Sequence, residues 1–383
     1  MLKVATYTSF QQLPPAYLPL FEHWGARSFF YGTDWFQNLL ENALGADDRV
    51  RIYGLALNDG SGAPVAALPT RYQARTAPWR PRKLISLTSF YTSLFGPVLS
   101  DDRLSATDIL GELARAIGQE TPRWDVVDLK PLDADSPLFA QLADAFRAAG
   151  MVVQTYFCFG NWYYPVNGRS YQEYMKSLRS SVRNIAGSKN KKIERSGRVR
   201  TEIITGGAGL ESAIQIYEQV YAASWKVQEP YPNFVPGLIR TCAGMGWLRL
   251  GLAYVDGEPA AAQFWILKHG IASIYKIAYD RRFSDLSVGT YLTTKLLERV
   301  IDVDKVREID YLSGDDRYKS DWMSHRRERW GIMAFNPRTL HGFVEMLRHV
   351  GGRTVKNAWR GRRISQGQTG TKVPSARSLL GSR

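Results

Sequence analysis

The sequence predicts an α/β chain of two related modules, each a mixed, mainly antiparallel twisted sheet flanked by helices. Three observations carry that prediction. The stretches "VRIYGLALNDGSGAPVAALP" (Val50 to Pro69) and "LRLGLAYVDGEPAAAQFWI" (Leu248 to Ile266) share one pattern: an alternating apolar strand, an Asp-Gly turn, a Pro and a second apolar strand. Asp-Gly between two such runs is a strong hairpin signal. Each hairpin is followed by strand, helix and strand in the same order, as a duplicated module would be. Finally, 44% of the 383 residues are apolar and 22% charged, which provides the mass for two cores and excludes a disordered or collagen-like chain.

Element by element, the first half reads as the hairpin, an aromatic strand near Phe90 to Leu94, a helix near Ala106 to Ile117 and the strand "RWDVVDL" from Arg123 to Leu129. The aromatic strand "TYFCFGNWYYPV" (Thr155 to Val166) closes it, and the boundary is placed near Gly168. Ser170 and Glu173 have capping-box spacing. Behind them Tyr171, Tyr174, Met175, Leu178, Val182 and Ile185 form the stripe of an amphipathic helix. A strand near Thr201 to Ile204 and a helix from about Leu210 to Val227 precede the second hairpin. Behind that hairpin come "ASIYKIAY" (Ala272 to Tyr279), a helix near Gly289 to Ile301, and "REIDYLSG" (Arg307 to Gly314). The expected organisation is a module at 1–167, a module at 168–345 and a tail at 346–383.

The charge is concentrated. Lys176 to Arg200 carries nine basic residues against Glu194 alone, and Met346 to Arg383 carries nine with no acid, within a formal net charge of +14. The first density of one sign suits phosphate-bearing ligands or lipid headgroups, against the plainer reading of a solvated face. The tail, rich in Gly, Ser, Thr and Arg, is expected to be loosely held, either as a solubilising segment or as an anchor to an anionic membrane. Cys158 and Cys242 are the only cysteines, too few for a disulfide framework or a four-thiolate zinc site. His23, His269, His325, His341 and His349 lack metal-ligand spacing, so no metal is expected. No apolar run is long enough to span a bilayer and the N-terminus lacks a signal-peptide core. The expectation is a cytoplasmic protein, at most peripheral at the inner face of the membrane.

Residues suited to chemistry cluster in the second half. Ser287, Val288, Gly289 and Thr290 open a helix directly after a strand, where free amides make an anion site; the alternative is a plain N-cap by Ser287. Arg281 and Arg282 lie just upstream, in reach of phosphates. Asp310, flanked by Ile309, is a candidate base if buried, or a structural acid paired with Lys276. Lys276 is alternatively placed to bind an anionic acceptor or polarise a carbonyl. Tyr318 is a candidate acid by position. Asp315, Lys319 and Trp322 share its polar and aromatic loop. Trp225 and Lys226 end a helix and suit an acceptor pocket, although simple core packing is the first reading of Trp225. Asp280 either caps its turn or touches substrate.

"ASWK" (Ala223 to Lys226), the second hairpin, "YKIAYDRRFSDLSVGTYL" (Tyr275 to Leu292) and "EIDYLSGDDRYKSDW" (Glu308 to Trp322) resemble the GNAT acetyltransferase superfamily. More narrowly they resemble its CelD and BcsL type, also termed BioF2-like. The tandem layout is similar to the Fem-type peptidyltransferases. The glycine loop departs from the superfamily's usual pattern and keeps one glycine, Gly289, while the first half has "SDDRLSATDIL" at the equivalent point and reads as a degenerate module. The resemblance implies a co-substrate, acetyl-CoA or a longer acyl-CoA, and an amine or hydroxyl acceptor related to the cell envelope: an exopolysaccharide, a lipid amine or a wall precursor. Two other readings stay open, a Fem-like transferase using aminoacyl-tRNA and a non-catalytic scaffold at a membrane. No motif demands tRNA, and DNA is not an expected partner.

Overall fold

In the computed structural model the described residues are 2–75, 77–100 and 104–349. The first half runs β1 (Leu2–Tyr7), α1 (Leu18–Arg27), α2 (Thr33–Asn42), β2 (Asp48–Leu57), β3 (Pro64–Gln73), β4 (Lys83–Ser86), β5 (Val98–Leu99), α3 (Ala106–Gln119), β6 (Val126–Asp133), α4 (Pro137–Ala148) and β7 (Val152–Pro165). The second half runs α5 (Tyr171–Ser177), α6 (Ser180–Ser196), β8 (Val199–Ile204), α7 (Leu210–Ala222), α8 (Phe234–Gly244), β9 (Leu248–Val255), β10 (Glu258–Lys268), β11 (Ile271–Tyr279), α9 (Val288–Glu298), β12 (Glu308–Asp310), α10 (Arg317–Trp322) and β13 (His325–Phe335). Both Asp-Gly hairpins form, as β2–β3 and β9–β10.

All strands join one mixed, mostly antiparallel open sheet, ordered β1-β2-β3-β4-β6-β13-β7-β12-β11-β10-β9-β8, with β5 on β3. The two halves are tied by exchange. β13, the last strand of the second half, lies between β6 and β7 of the first; β7 in turn lies between β13 and β12 of the second. β7 and β13 pair from His325↔Tyr163 to Phe335↔Val152, with a bulge at Arg329/Trp330. The expected boundary at Gly168 falls just beyond this shared strand.

Several elements differ from the sequence expectation for identifiable reasons. Phe90 to Leu94 is a loop and the strand is Lys83–Ser86, because Ser and Thr side chains there bond local backbone: Thr92 Oγ1 accepts from Ser89 N, and Ser89 Oγ from Tyr91 N. The capping box at Ser170 and Glu173 is present. The single helix expected behind it is two, broken where Leu178 turns extended (ψ 156°). α7 stops at Ala222, short of Val227, and α9 ends in a π-turn at Arg299–Val303. β12 is three residues long because Leu312 adopts φ 55° and turns the chain away. Residues 340–349 form a final helix, so the start of the expected tail is helical; the rest of it lies outside the described residues. No helix among the described residues is long and apolar enough to cross a membrane.

One large apolar core lies on the face shared by α1, α2, α7 and α8 and includes buried residues of both halves. Trp35 meets Phe234 edge to face at 5.5 Å, Tyr91 stacks on Phe234 at 4.1 Å, and Asn38 donates to the Phe234 carbonyl at 3.2 Å. Gly237 permits the close approach of α8 to α2, since a Cβ there would meet Asn38 Oδ1 at 2.4 Å. A second core, under α5, α6 and α9, belongs mainly to the second half, with Tyr164 and Val166 added from the end of the first.

Because β13 completes the first half, damage to it is expected to propagate. Ile332, fully buried in the shared core, when changed to Ala should cost about 2–5 kcal/mol. It should also lower one common unfolding transition, followed by calorimetry and by near-UV circular dichroism. Two separate transitions, with only one displaced, would show that the halves fold independently.

Candidate functional site

β11 and β12 are parallel neighbours from Ile271↔Glu308 to Ser273↔Asp310, and there the pairing ends. Beyond that point the strands part. The gap holds a pocket of about 240 Å³ lined by Ile274 to Ile277 from β11, Tyr311 to Ser313 behind β12, and Asp316, Tyr318 and Lys319 at α10. Lys226 closes one side, and Phe90, Tyr91 and Ser93 reach in from the first half.

Two lysines dominate its electrostatics. Lys276 Nζ is bonded to Glu229 Oε1 at 2.6 Å, both side chains being nearly buried. Burial lowers the Lys276 pKa and Glu229 partly restores it. Burial pushes the Glu229 carboxyl up, but Lys276 and the nearby hydroxyls of Tyr221 and Tyr91 outweigh it and hold the group below the usual range. Glu229 Oε2 nevertheless accepts no hydrogen bond of good geometry, because those hydroxyls are donated to the Val227 and Tyr231 carbonyls at 3.3 Å. Lys226 has no carboxylate partner among the described residues; burial, then the charge of Lys276, brings its pKa down to about 8. Burial and Asp316 push the Tyr318 hydroxyl up to about 12, so it stays protonated at neutral pH.

The helix behind the pocket ends open. Ser287, at φ 56°, makes no side-chain cap to α9; its hydroxyl accepts from Lys189 Nζ at 2.6 Å. α6 lies along α9, where Asn190 also bonds Thr294 Oγ1 at 2.9 Å. The first amides of α9 are therefore uncapped with an ammonium beside them, an arrangement suited to a phosphate. Gln263 seats the helix by donating to the Gly289 carbonyl at 2.9 Å, and a Cβ at Gly289 would meet the Tyr279 ring at 3.2 Å. The first half differs at the matching place. Ser105 caps α3, with acidic Asp108 in the first turn. The gap between β4 and β6 is bridged by Ser86 Oγ to the Lys130 carbonyl (2.6 Å) and by Phe95 N to the Pro131 carbonyl (2.7 Å).

The expected site residues separate into groups. Lys226, Lys276, Tyr318 and Lys319 line the pocket, and Ser287 to Thr290 open α9. Lys319 is buried with its Nζ on the Ser313 carbonyl, a clasp for the loop. Trp225, expected first as core, is 44% exposed and packs on Tyr279 at 4.6 Å. Asp280 caps its turn through Arg282 N at 2.8 Å, and Arg282 is held by Asp280 and Glu258, whereas Arg281 is exposed. Asp315 is gripped by Arg326 at 2.8 Å, and Trp322 is core, its carbonyl accepting from Tyr174. Asp310 is buried, but its partner is Arg327 (2.6 Å) rather than Lys276, with Asn161 Nδ2 and Leu312 N also bonded to it. Sequence reasoning missed Glu229, Tyr91 and Lys189. Glu229 sits in a Pro-flanked loop without periodicity, and Lys189 was visible only as one charge in a basic run. Among the described residues no group of three or more His, Cys, Asp or Glu is placed to hold a metal.

The depressed Lys226 pKa has a consequence for stability. An unfolded lysine binds its proton until about pH 10.4, so the cost of carrying the charge in the folded state is full below about pH 8 and fades between there and pH 10. Lys226→Met is therefore expected to raise the melting temperature at pH 7 and to lose that advantage by pH 10. A constant difference across this range would show that Lys226 titrates normally.

Residues 180–320 match the family model described as an acetyltransferase (GNAT) domain. No curated protein gives a significant match. Among solved structures, FemX aligns with a TM-score of 0.55 at 10% identity, over 81% of this chain and 94% of that one. A tandem GNAT protein from the clavulanic acid biosynthesis pathway aligns at 0.49 and 13% identity, over 87% and 98%. L-PGS from Bacillus licheniformis aligns at 0.46 and 10% identity, over 83% and 95%. At such identities the FemX likeness is one of fold. The parted strands, the open helix and the pocket lining apart from Phe90, Tyr91 and Ser93 fall within the segment 180–320 that matches the GNAT acetyltransferase domain model.

Proposed function

We propose that the chain is an acyl-CoA-dependent acyltransferase acting on an amine or hydroxyl acceptor. The observation that carries this reading is that one segment holds both a lysine-lined pocket, where β11 and β12 part, and an uncapped, lysine-flanked start of α9 seated on Tyr279 at the end of β11. The amides of Val288 to Thr290 and Lys189 hold the pyrophosphate of the thioester, with Arg281 at the rim. The CelD and BioF2-like resemblance of the sequence supplies the envelope-related character of the acceptor. Fold alone does not fix substrate.

Each pocket residue has a role in this scheme. Lys226, neutral in part near pH 8, takes the proton from the attacking N–H or O–H; lysines tuned to about 7–8 serve as such bases. Lys276, hydrogen-bonded to Glu229, faces the oxygen that becomes anionic as the new C–N or C–O bond forms. Tyr318 gives its proton to the sulfur as the C–S bond breaks and recovers one from solvent. Asp310, fully engaged by Arg327, Asn161 and the Leu312 amide, holds the point where the strands part. The Fem-like alternative has one supporting observation, the exposed face of α6 with Arg183, Lys191, Lys192 and Arg195, which suits a run of phosphates.

Titration with acyl-CoA and with aminoacyl-tRNA decides between the two donors: saturable binding of acyl-CoA without binding of the tRNA is expected. A larger side chain at Gly289 would press on Tyr279, so the phosphate site is better probed at Lys189. Lys189→Glu should raise KM for acyl-CoA about tenfold with kcat nearly unchanged, a difference of ~1.4 kcal/mol. An unchanged KM would move the phosphates elsewhere.

The pH dependence tests the base. With Lys226 as proton acceptor, kcat/KM should rise about tenfold per pH unit and level off above about pH 8. Lys226→Met should lose about 10²–10⁴ in rate together with that inflection. Asp310→Asn should keep the inflection and lose stability. A midpoint that disappears in Asp310→Asn and survives in Lys226→Met would reverse the two roles.

A further inference from the structure

A larger cavity, of about 870 Å³, adjoins the transfer pocket and shares Ser93 and Leu312 with it. It lies between the halves. Its walls come mainly from the first half and are apolar: Trp24, Phe95, Leu99, Leu138 and Phe139. Its floor is the crossing of β7 and β13, where Arg327 and Arg329 emerge beside Asn161 and Asp310.

Among the described residues of this lining, the cations Lys268, Arg307, Arg327 and Arg329 lie with the carboxylates Asp133, Glu308 and Asp310. Arg327 is bonded to Glu308 and Asp310, and Arg329 to Asp133. Among the described residues Lys268 and Arg307 have no carboxylate partner; Lys268 Nζ lies 3.9 Å over the Trp247 ring. Arg329 is 3% exposed, yet its Nε has no hydrogen-bond acceptor, and Gln141 Oε1 on the same lining has no donor. A buried guanidinium N–H left unpaired costs about 1–3 kcal/mol, a cost that an acceptor atom in the cavity removes.

We propose that this cavity is the acceptor chamber and that it takes an anionic amphipath, with a phosphate or carboxylate toward Arg329, Lys268 and Arg307 and an apolar body against Trp24, Leu138 and Phe139. Pockets of about 300–1,000 Å³ lined by apolar side chains with a few convergent polar groups are the usual form of small-molecule sites. The word acceptor rests on the transfer pocket next door; the binding chemistry stands on the cavity itself. A purely apolar ligand leaves the floor unmatched, and a bare anion leaves the aromatic wall unused.

The test uses the full chain and dodecyl phosphate below its micellar concentration, with dodecyl maltoside and inorganic phosphate as the two halves of that chemistry. Calorimetric titration should show saturable binding of dodecyl phosphate, at least tenfold tighter than either control. Leu138→Trp, which fills the chamber, and Lys268→Met, which removes one free cation, should each weaken it about tenfold; a melting curve confirms that both are folded. No binding by wild type, equal binding of inorganic phosphate, or unchanged affinity in both variants would each overturn the proposal. Acetyl-CoA and dodecanoyl-CoA are titrated in parallel. Leu138→Trp should leave both unaffected, and a selective loss of dodecanoyl-CoA would assign the chamber to the donor chain instead. Failure of every CoA ester to bind wild type would sink the transfer reading while leaving the dodecyl phosphate result to stand or fall alone.

Discussion

The antiparallel pairing of β7 with β13 is the constraint on which the rest depends. Each strand completes the sheet of the half it does not follow, so neither half has a closed set of hydrogen bonds without the other. Where the strands cross, Asn161 is the hub. Its oxygen accepts from Arg327 Nε (2.6 Å) and Arg329 (3.3 Å), while its amide bonds Asp310 and the Leu312 carbonyl. A buried ion cluster of this kind is weak evidence for stability, because desolvation offsets most of the attraction. Its effect is geometric. Asp310 bonds the Leu312 amide two residues on and fixes the left-handed turn at Leu312, and that turn ends β12 after three residues. The gap beside β11 follows from it.

The two halves start from one plan and diverge through local chemistry. In the second, the helix after the parting strands is uncapped and flanked by an ammonium; in the first, Ser105 and Asp108 occupy the equivalent place with a cap and a negative charge. The first half's strand gap is sealed by its own loop. That loop then delivers Phe90, Tyr91 and Ser93 to the second half's pocket. The loop that closes the gap on one side is thus a wall of the candidate pocket on the other.

Much of this plan was legible in the residues. The hairpins announce themselves through Asp-Gly turns, α5 through Ser170 and Glu173, and the start of α9 through a Gly behind a strand. What stayed hidden was set by non-local geometry. The exchange of β7 and β13 leaves no local trace, since a strand carries the same alternation whichever neighbours it finds. Asp310 and Lys276 sit on adjacent strands, which suggested an ion pair. Side chains of β12 alternate between faces, however, and Asp310 emerges with Glu308 toward Arg327 instead. Lys276 takes Glu229 from an irregular loop, a partner no periodicity can announce.

Two environments are thus built side by side from the same central strands. On one side of Leu312 the pocket holds Lys226, whose charge burial and the neighbouring Lys276 disfavour, and Lys276, bonded to Glu229. On the other, Arg327 is bonded to Glu308 and Asp310, and Arg329 to Asp133. Proton transfer needs a group whose pKa lies near the working pH, and anion recognition needs a charge that does not titrate. Lys226 suits the first purpose, and an arginine on the floor of the larger cavity suits the second. Lysines line the small pocket, and arginines form the floor of the large one beside Lys268 and Arg307, an arrangement that fits the proposed transfer to a bound anionic acceptor.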